Sequence, residues 1–207
     1  MPATKKITKE MISKAAMDIF RSHGLQAVTS RRVAQKLGCS TQPLYIEYKS
    51  MDDLKSELIR IIVKRQDEMY DGLISQSTDF LYRSYGMAFL RFAQTEPFLF
   101  RHIYILDGSL GKHIDEMRLP KMFEILENEY GYSRSQAEAI HETASTYLMG
   151  VSAFISSGYR QITEEQMNSS LTKLFVMICS LHGLPPKLMN TEQFKTYYEE
   201  IKKKAFL

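Results

Sequence analysis

The chain reads as an all-α protein of nine or ten helices. Three observations carry that prediction. Apolar residues recur at helical spacing along almost all of its 207 residues. No run of alternating β-branched residues bounded by turn dipeptides breaks the pattern. Helix start and stop signals punctuate it at regular intervals.

The elements follow in order. Thr8 is an N-cap candidate, and Ile12, Ala15, Ala16, Ile19 and Phe20 form one apolar stripe that Gly24 ends. Thr29 is placed to cap a short second helix with Val33, Ala34 and Leu37 inward and Gly38 as its stop. The stretch Cys39–Leu54 (CSTQPLYIEYKSMDDL) holds a proline between two helical segments. With Ser40 as N-cap, Thr41, Gln42 and Pro43 become the first positions of a short helix reaching Tyr48, where proline removes no intrahelical hydrogen bond. A long helix then starts at Ser50, its early Asp52 and Asp53 matching the helix dipole; Leu54, Leu58, Ile61, Ile62, Met69 and Leu73 continue its stripe.

After a polar break near 75–79, an aromatic helix spans Phe80–Thr95, and PFLFRHIYI forms a short helix with Pro97 in its first turn. LDGSLGKH, with two glycines, is the best loop candidate, followed by a helix over Ile114–Glu129. Ser133/Gln136 and Thr163/Gln166 are capping boxes opening helices at about 133–157 and 163–182, and Pro185-Pro186 precedes a charged helix over Thr191–Ala205.

Composition excludes several classes. Apolar residues make up 44% and charged residues 25%, ordinary for a globular protein with a sizeable core. The two cysteines, Cys39 and Cys179, sit in no CxxC or Cys/His cluster, which argues against a disulfide scaffold or zinc site. No signal peptide or membrane-length apolar run is visible, so a cytoplasmic location without membrane attachment is the expectation. Charge is uneven: residues 1–55 hold ten Lys/Arg against five Asp/Glu, and the remainder seventeen against nineteen. A basic N-terminal quarter suits an anionic partner.

That quarter contains a helix-turn-helix. The helix from Thr41 presents Thr41, Gln42 and Tyr45 at its exposed N-terminal end, the part that enters the major groove in such motifs. Gln can bond adenine N6 and N7, and the Thr methyl can meet that of thymine. Arg31 and Arg32 open the preceding helix, where their charge opposes the dipole; phosphate contact is the alternative reason for them. From Lys9 to Leu58 the chain resembles the DNA-binding domain of the TetR (tetracycline repressor) family. The resemblance lies in Ala16 to Phe20, Gly24, Thr29, the turn from Val33 to Ser40, Leu44-Tyr45, Tyr48, Lys49, Ser50 and Asp53-Leu54. Gln42 stands where that family often has glycine, and Glu47 where many members have histidine.

The resemblance implies a homodimer on a (pseudo)palindromic double-stranded operator, usually repressing transcription, with a small-molecule effector and no cofactor. It implies a DNA-binding domain over 1–55 and an effector-binding and dimerisation domain over 56–207. It further implies phosphate contacts from Thr29, Tyr45 and Lys49 and base contacts from Thr41 and Gln42; Arg31, Arg32, Pro43 and Tyr48 complete the expected DNA-binding set. The helices at 133–157 and 163–182 are the expected dimer interface, on the strength of small residues such as Ala137, Ala144, Gly150 and Ser156 facing Leu171, Leu174 and Ile178. Large soft side chains between Phe80 and Tyr130 suggest an apolar or aromatic effector, with Tyr85, Phe89, Phe92, Phe100, Tyr104, Met117, Met122 and, on a later helix, Tyr147 as candidate contacts.

The rival reading is a small-molecule enzyme or carrier with an incidental basic N-terminus. No catalytic set supports it. Gly108-Ser-Leu-Gly111-Lys112 lacks the spacing of a phosphate loop, Ser170-Leu-Thr-Lys173 lacks its companion motifs, and the five histidines are scattered.

Overall fold

The computed structural model describes residues 6–74, 81–106, 108–128 and 130–183. The expected break at 75–79, the Pro185-Pro186 stop and the helix over Thr191–Ala205 lie outside them. The described residues form nine α-helices: α1 (Lys9–His23), α2 (Ser30–Leu37), α3 (Gln42–Glu47), α4 (Met51–Ile74), α5 (Leu81–Thr95), α6 (Pro97–Phe100), α7 (Gly108–Asn128), α8 (Arg134–Ser156) and α9 (Glu164–Leu181). A π-helical turn, Arg101–Ile105, extends α6.

The capping signals form. Thr8 accepts from the Met11 N–H, Thr29 from Arg32 and Ser50 from Asp53. Both capping boxes close, with Gln136 and Gln166 each accepting from its own cap N–H at 2.9 Å. Gly24 and Gly38 take positive φ values of 83° and 68°, the left-handed side that side chains with a Cβ resist.

Three expectations are corrected. α3 starts at Gln42 and ends at Glu47, with Thr41 and not Ser40 at the cap position and no side-chain cap bond. The expected loop at LDGSLGKH is helix from Gly108 onward, so α7 begins six residues before Ile114. Gly111 is there for proximity: a Cβ on it would lie 2.9 Å from the Tyr104 ring and 3.0 Å from the Ile103 carbonyl oxygen. Third, Ile61 faces outward from α4, 40% exposed.

One apolar cluster runs through the molecule, from Ile12, Phe20, Leu44 and Leu54 through Ile62 to Phe92, Phe100 and Ile114. A second gathers Leu126, Ile140, Leu174 and Cys179. α4 is the shared strut. Its first turns carry Leu54 and Leu58 into the α1 side of the core, and its far half reaches α5.

Candidate nucleic-acid interface and ligand cavity

α2 and α3 build the first site. Leu44 is 1% exposed and anchors α3, so the opposite face of this short helix is presented outward. Thr41, Gln42 and Tyr45 are exposed on it, Pro43 is half-buried at its second position, and Lys49 follows exposed beyond its end. Arg31 and Arg32 are exposed at the start of α2 beside Thr29. Among the described residues neither arginine pairs with a carboxylate, whereas Lys9, Arg21 and Lys36 behind this face do. The face therefore offers uncommitted positive charge around a helix end bearing hydroxyl and amide groups.

Tyr48 departs from its expected place. It is 6% exposed and points inward, its hydroxyl 2.6 Å from Ser13 Oγ and 2.8 Å from Glu57 Oε1. Burial is the main cause lifting its pKa to about 12, so it stays a protonated donor. Glu57 also ion-pairs with Lys9 at 2.8 Å. Burial alone would raise the Glu57 pKa, but the hydrogen bonds from Lys9, Ser13 and Tyr48 bring it below the usual value. This knot locks the end of α3 to α1 and α4.

The second site is a cavity of about 160 Å³ in the helical remainder. Of the expected contacts, Tyr85, Phe89 and Met122 line it. Phe92 and Phe100 are fully buried core instead, because both fall on faces that pack against neighbouring helices. Tyr104 is buried behind the wall, edge-on to Phe89. Met117 and Tyr147 face outward, 49% and 43% exposed.

Several cavity residues escaped the sequence reading. Gln66, Asp67 and Tyr70 come from α4, Arg83 from α5, Asp115 and Arg118 from α7, His141 from α8, beside Tyr82, one of the large soft side chains of α5. One signal was available for Gln66: it continues the i+4 series Leu54, Leu58, Ile62, placing a polar residue on a core stripe.

The electrostatics are compact. Arg118 Nη2 donates to Asp67 Oδ1 at 3.1 Å and to the Val63 carbonyl at 3.2 Å, tying α7 to α4. Asp115 keeps one side open to water, yet burial of its carboxyl lifts its pKa to about 6, with Arg118 opposing. The Tyr82 hydroxyl meets His141 Nδ1 at 2.9 Å, and burial lowers the His141 pKa, which favours the neutral ring as acceptor. Tyr70 and Tyr85 stack with ring centroids 3.4 Å apart, and Lys121 lies over both rings. Among the described residues, no group of three or more His, Cys, Asp or Glu is placed to hold a metal ion.

The dimer expectation is partly redrawn. Ala137, Ala144 and Ser156 of α8 and Leu171, Leu174 and Ile178 of α9 are buried within the protomer. The outward stripe keeps Gly150 of the expected residues and adds Tyr147 and Phe154 on α8, with Met177 and Leu181 on α9.

Residues 12–58 match the family described as "Bacterial regulatory proteins, tetR family". Over those residues, in its N-terminal part, the chain is similar to that family. A search of curated proteins returns no match. Among solved structures, the fatty acid degradation regulator FadR from Bacillus halodurans superposes with a TM-score of 0.59 at 16% identity, over 84% of this chain and 96% of that one. SmeT, the repressor of the Stenotrophomonas maltophilia multidrug efflux pump SmeDEF, gives 0.59 at 13% identity, over 89% and 92%. A TetR variant from Acinetobacter baumannii in complex with minocycline gives 0.50 at 14% identity, over 86% and 97%. At such identities the likeness is one of fold, and it covers 84–89% of this chain. No described helix is long and apolar enough to cross a membrane.

Proposed function

We propose that this protein is a member of the TetR family, a cytoplasmic, dimeric transcriptional repressor released from its operator by a small, mainly apolar effector. One observation carries the reading. The outward end of α3 presents Thr41, Gln42 and Tyr45, exposed Arg31 and Arg32 open α2 and exposed Lys49 follows α3, with no competing carboxylate partner for either arginine among the described residues. Phosphate contacts from Thr29, Arg31, Arg32, Tyr45 and Lys49 supply affinity, and Thr41 and Gln42 supply base preference, with Pro43 shaping the helix start. Residues 1–55 form the DNA-binding unit and 56–207 the effector and dimer unit, with α4 running through the boundary. The stripe on α8 and α9 pairs with its symmetry mate, so that two copies of α3 reach successive major grooves.

Release is a population shift. The effector favours a dimer geometry in which the two α3 helices no longer fit the grooves, and α4 is the carrier: Gln66, Asp67 and Tyr70 line the cavity on the same helix whose Glu57 bonds Tyr48 and Ser13.

The test is a titration of the full-length protein into labelled DNA from directly upstream of its own gene, at two salt concentrations, against random competitor. Tight binding that survives the competitor and weakens steeply with salt is expected. If that DNA binds no better than random DNA, a selection from random oligonucleotides follows; its failure to enrich any palindrome overturns the proposal.

A further inference from the structure

Two cavity-lining residues carry buried polar atoms without a partner among the described residues, Arg118 at Nε and Gln66 at both amide atoms, and the amide specifies the guest. Gln66 is 4% exposed, lines the cavity, and neither its Nε2 nor its Oε1 has a hydrogen-bond partner in the protein. The Tyr104 hydroxyl, also buried without a well-formed bond, lies close enough to the amide to temper a pKa that burial and Asp115 drive upward. A rotation pairing that hydroxyl with one amide atom would still leave the other alone. A buried amide with an unmade donor and an unmade acceptor is costly, and it sits where α4's i+4 series otherwise places Leu54, Leu58 and Ile62.

We infer that Gln66 is the polar recognition element of the cavity, and that the effector is an uncharged aromatic molecule bearing an adjacent hydrogen-bond acceptor and donor, as a carboxamide or lactam does. The inference deepens the proposed effector site and rests on that reading. Gln66 Nε2–H donates to the guest's carbonyl oxygen while Oε1 accepts from the guest's N–H, the reciprocal pairing that amides make. The aromatic body packs among Tyr70, Tyr85 and Phe89.

Charge balance argues for a neutral guest. Asp67 already offsets the charge of Arg118, whose Nη2 it engages while Nε stays unpartnered, and Arg83 Nη1 is occupied by Thr172 Oγ1 at 3.3 Å. A carboxylate would accept from Nε2 but set its second oxygen against Oε1. A cation would satisfy Oε1 alone. Asp115, whose carboxyl is already reluctant to ionise with Arg118 beside it, is a weak counter-ion for one.

The experiment is calorimetric titration of the full-length protein at pH 7.5 with four probes sharing one ring system: 2-naphthamide, 2-naphthoate, 2-ethylnaphthalene and naphthalen-2-ylmethylammonium. 2-Naphthamide is expected to bind about tenfold more tightly than the other three, the worth of two neutral hydrogen bonds. In Gln66→Leu that preference collapses to within about threefold while 2-ethylnaphthalene still binds, which also shows the cavity intact. Gln66→Leu should melt a few degrees above the wild type, because an unpartnered amide has been removed.

Equal binding of all four probes, a charged probe in first place, or a preference that survives Gln66→Leu overturns the assignment of Gln66 and leaves the cavity reading standing. A melting point lowered by several degrees overturns it too, since the amide would then have a partner within the fold. Binding of none of the probes removes both.

Discussion

Tyr45 and Tyr48, one turn apart, divide the work at the end of α3. Tyr45 is 52% exposed and available to an operator, whereas Tyr48 is inside and bonded to Ser13 and Glu57. Tyr48→Phe should therefore cost about 1 kcal/mol of stability and leave the salt dependence of DNA binding unchanged. Lys49→Ala should do the reverse, weakening all DNA and lowering the slope of log K against log salt by about one. Urea unfolding beside DNA titrations at several salt concentrations checks both, and a changed slope in Tyr48→Phe would return that residue to the interface. Asp115 offers a pH test. Its carboxyl titrates near 6 in the fold against an ordinary 3.8, so the folded state holds more protons between those values and stability falls as pH rises through the interval. Above pH 6 the penalty is complete. Asp115→Asn should thus stabilise the protein at pH 7.5, on the order of 1 kcal/mol once discounted for the water on its open side, and by nothing near pH 3.5. Equal stabilisation at both values, measured by urea melts, would mean that burial of the charge is not the cause.

At the scale of elements, α8 and α9 carry the next prediction. Gly150 has no atom within 4 Å of where a Cβ would stand, so within one protomer substitution there is free and would even favour the helix. Yet it lies between exposed Tyr147 and Phe154 on one stripe, with Met177 and Leu181 exposed on α9. If a second copy packs on that stripe, Gly150→Leu and Phe154→Asp should yield monomers by sedimentation while helical circular dichroism is unchanged; a persisting dimer in both would move the interface elsewhere. The same helices show what sequence could convey. Caps at Thr8, Thr29, Ser133 and Thr163 were legible because a cap is a contact within four residues, and α3's outward groups were legible because Leu44 alone orients so short a helix. The start of α7 was not. Gly108 and Gly111 read as loop punctuation, but Gly111 is set by the distance to Tyr104 and Ile103, which no local pattern encodes. The cavity was obscured for the same reason: Gln66, Tyr82, Asp115 and His141 meet from four helices, while Phe92 and Phe100, equally aromatic, point into core.

The whole molecule is a problem of connection, since the α3 face and the cavity share no residue. α4 links them along its length, and one carboxylate adds a cross-tie. Glu96, at the cap position of α6 and with its side chain 14% exposed, ion-pairs with Arg21 of α1 at 2.8 Å and Arg65 of α4 at 3.2 Å. Beside it, the His102 ring of the π turn lies against Gly24, at the end of α1, where a Cβ would come within 3.1 Å. The α6 segment therefore touches α1 and its end at two points, while Phe100 and Tyr104 on the same segment pack against Phe89 of the cavity wall. A guest that displaces Phe89 or Tyr70 must move one of these struts relative to α1. Glu96→Gln keeps size but removes both ion pairs, so the DNA-binding unit should follow the cavity less closely. Operator affinity without effector should stay within about threefold, because no phosphate contact is touched. The ratio of operator affinities without and with saturating 2-naphthamide, expected within the 5–150-fold of ordinary coupling, should fall by about fivefold or more. Linkage demands the same ratio when the titration is reversed and 2-naphthamide is bound to protein with and without operator. A ratio that matches the wild type in both directions would place the route in α4 alone.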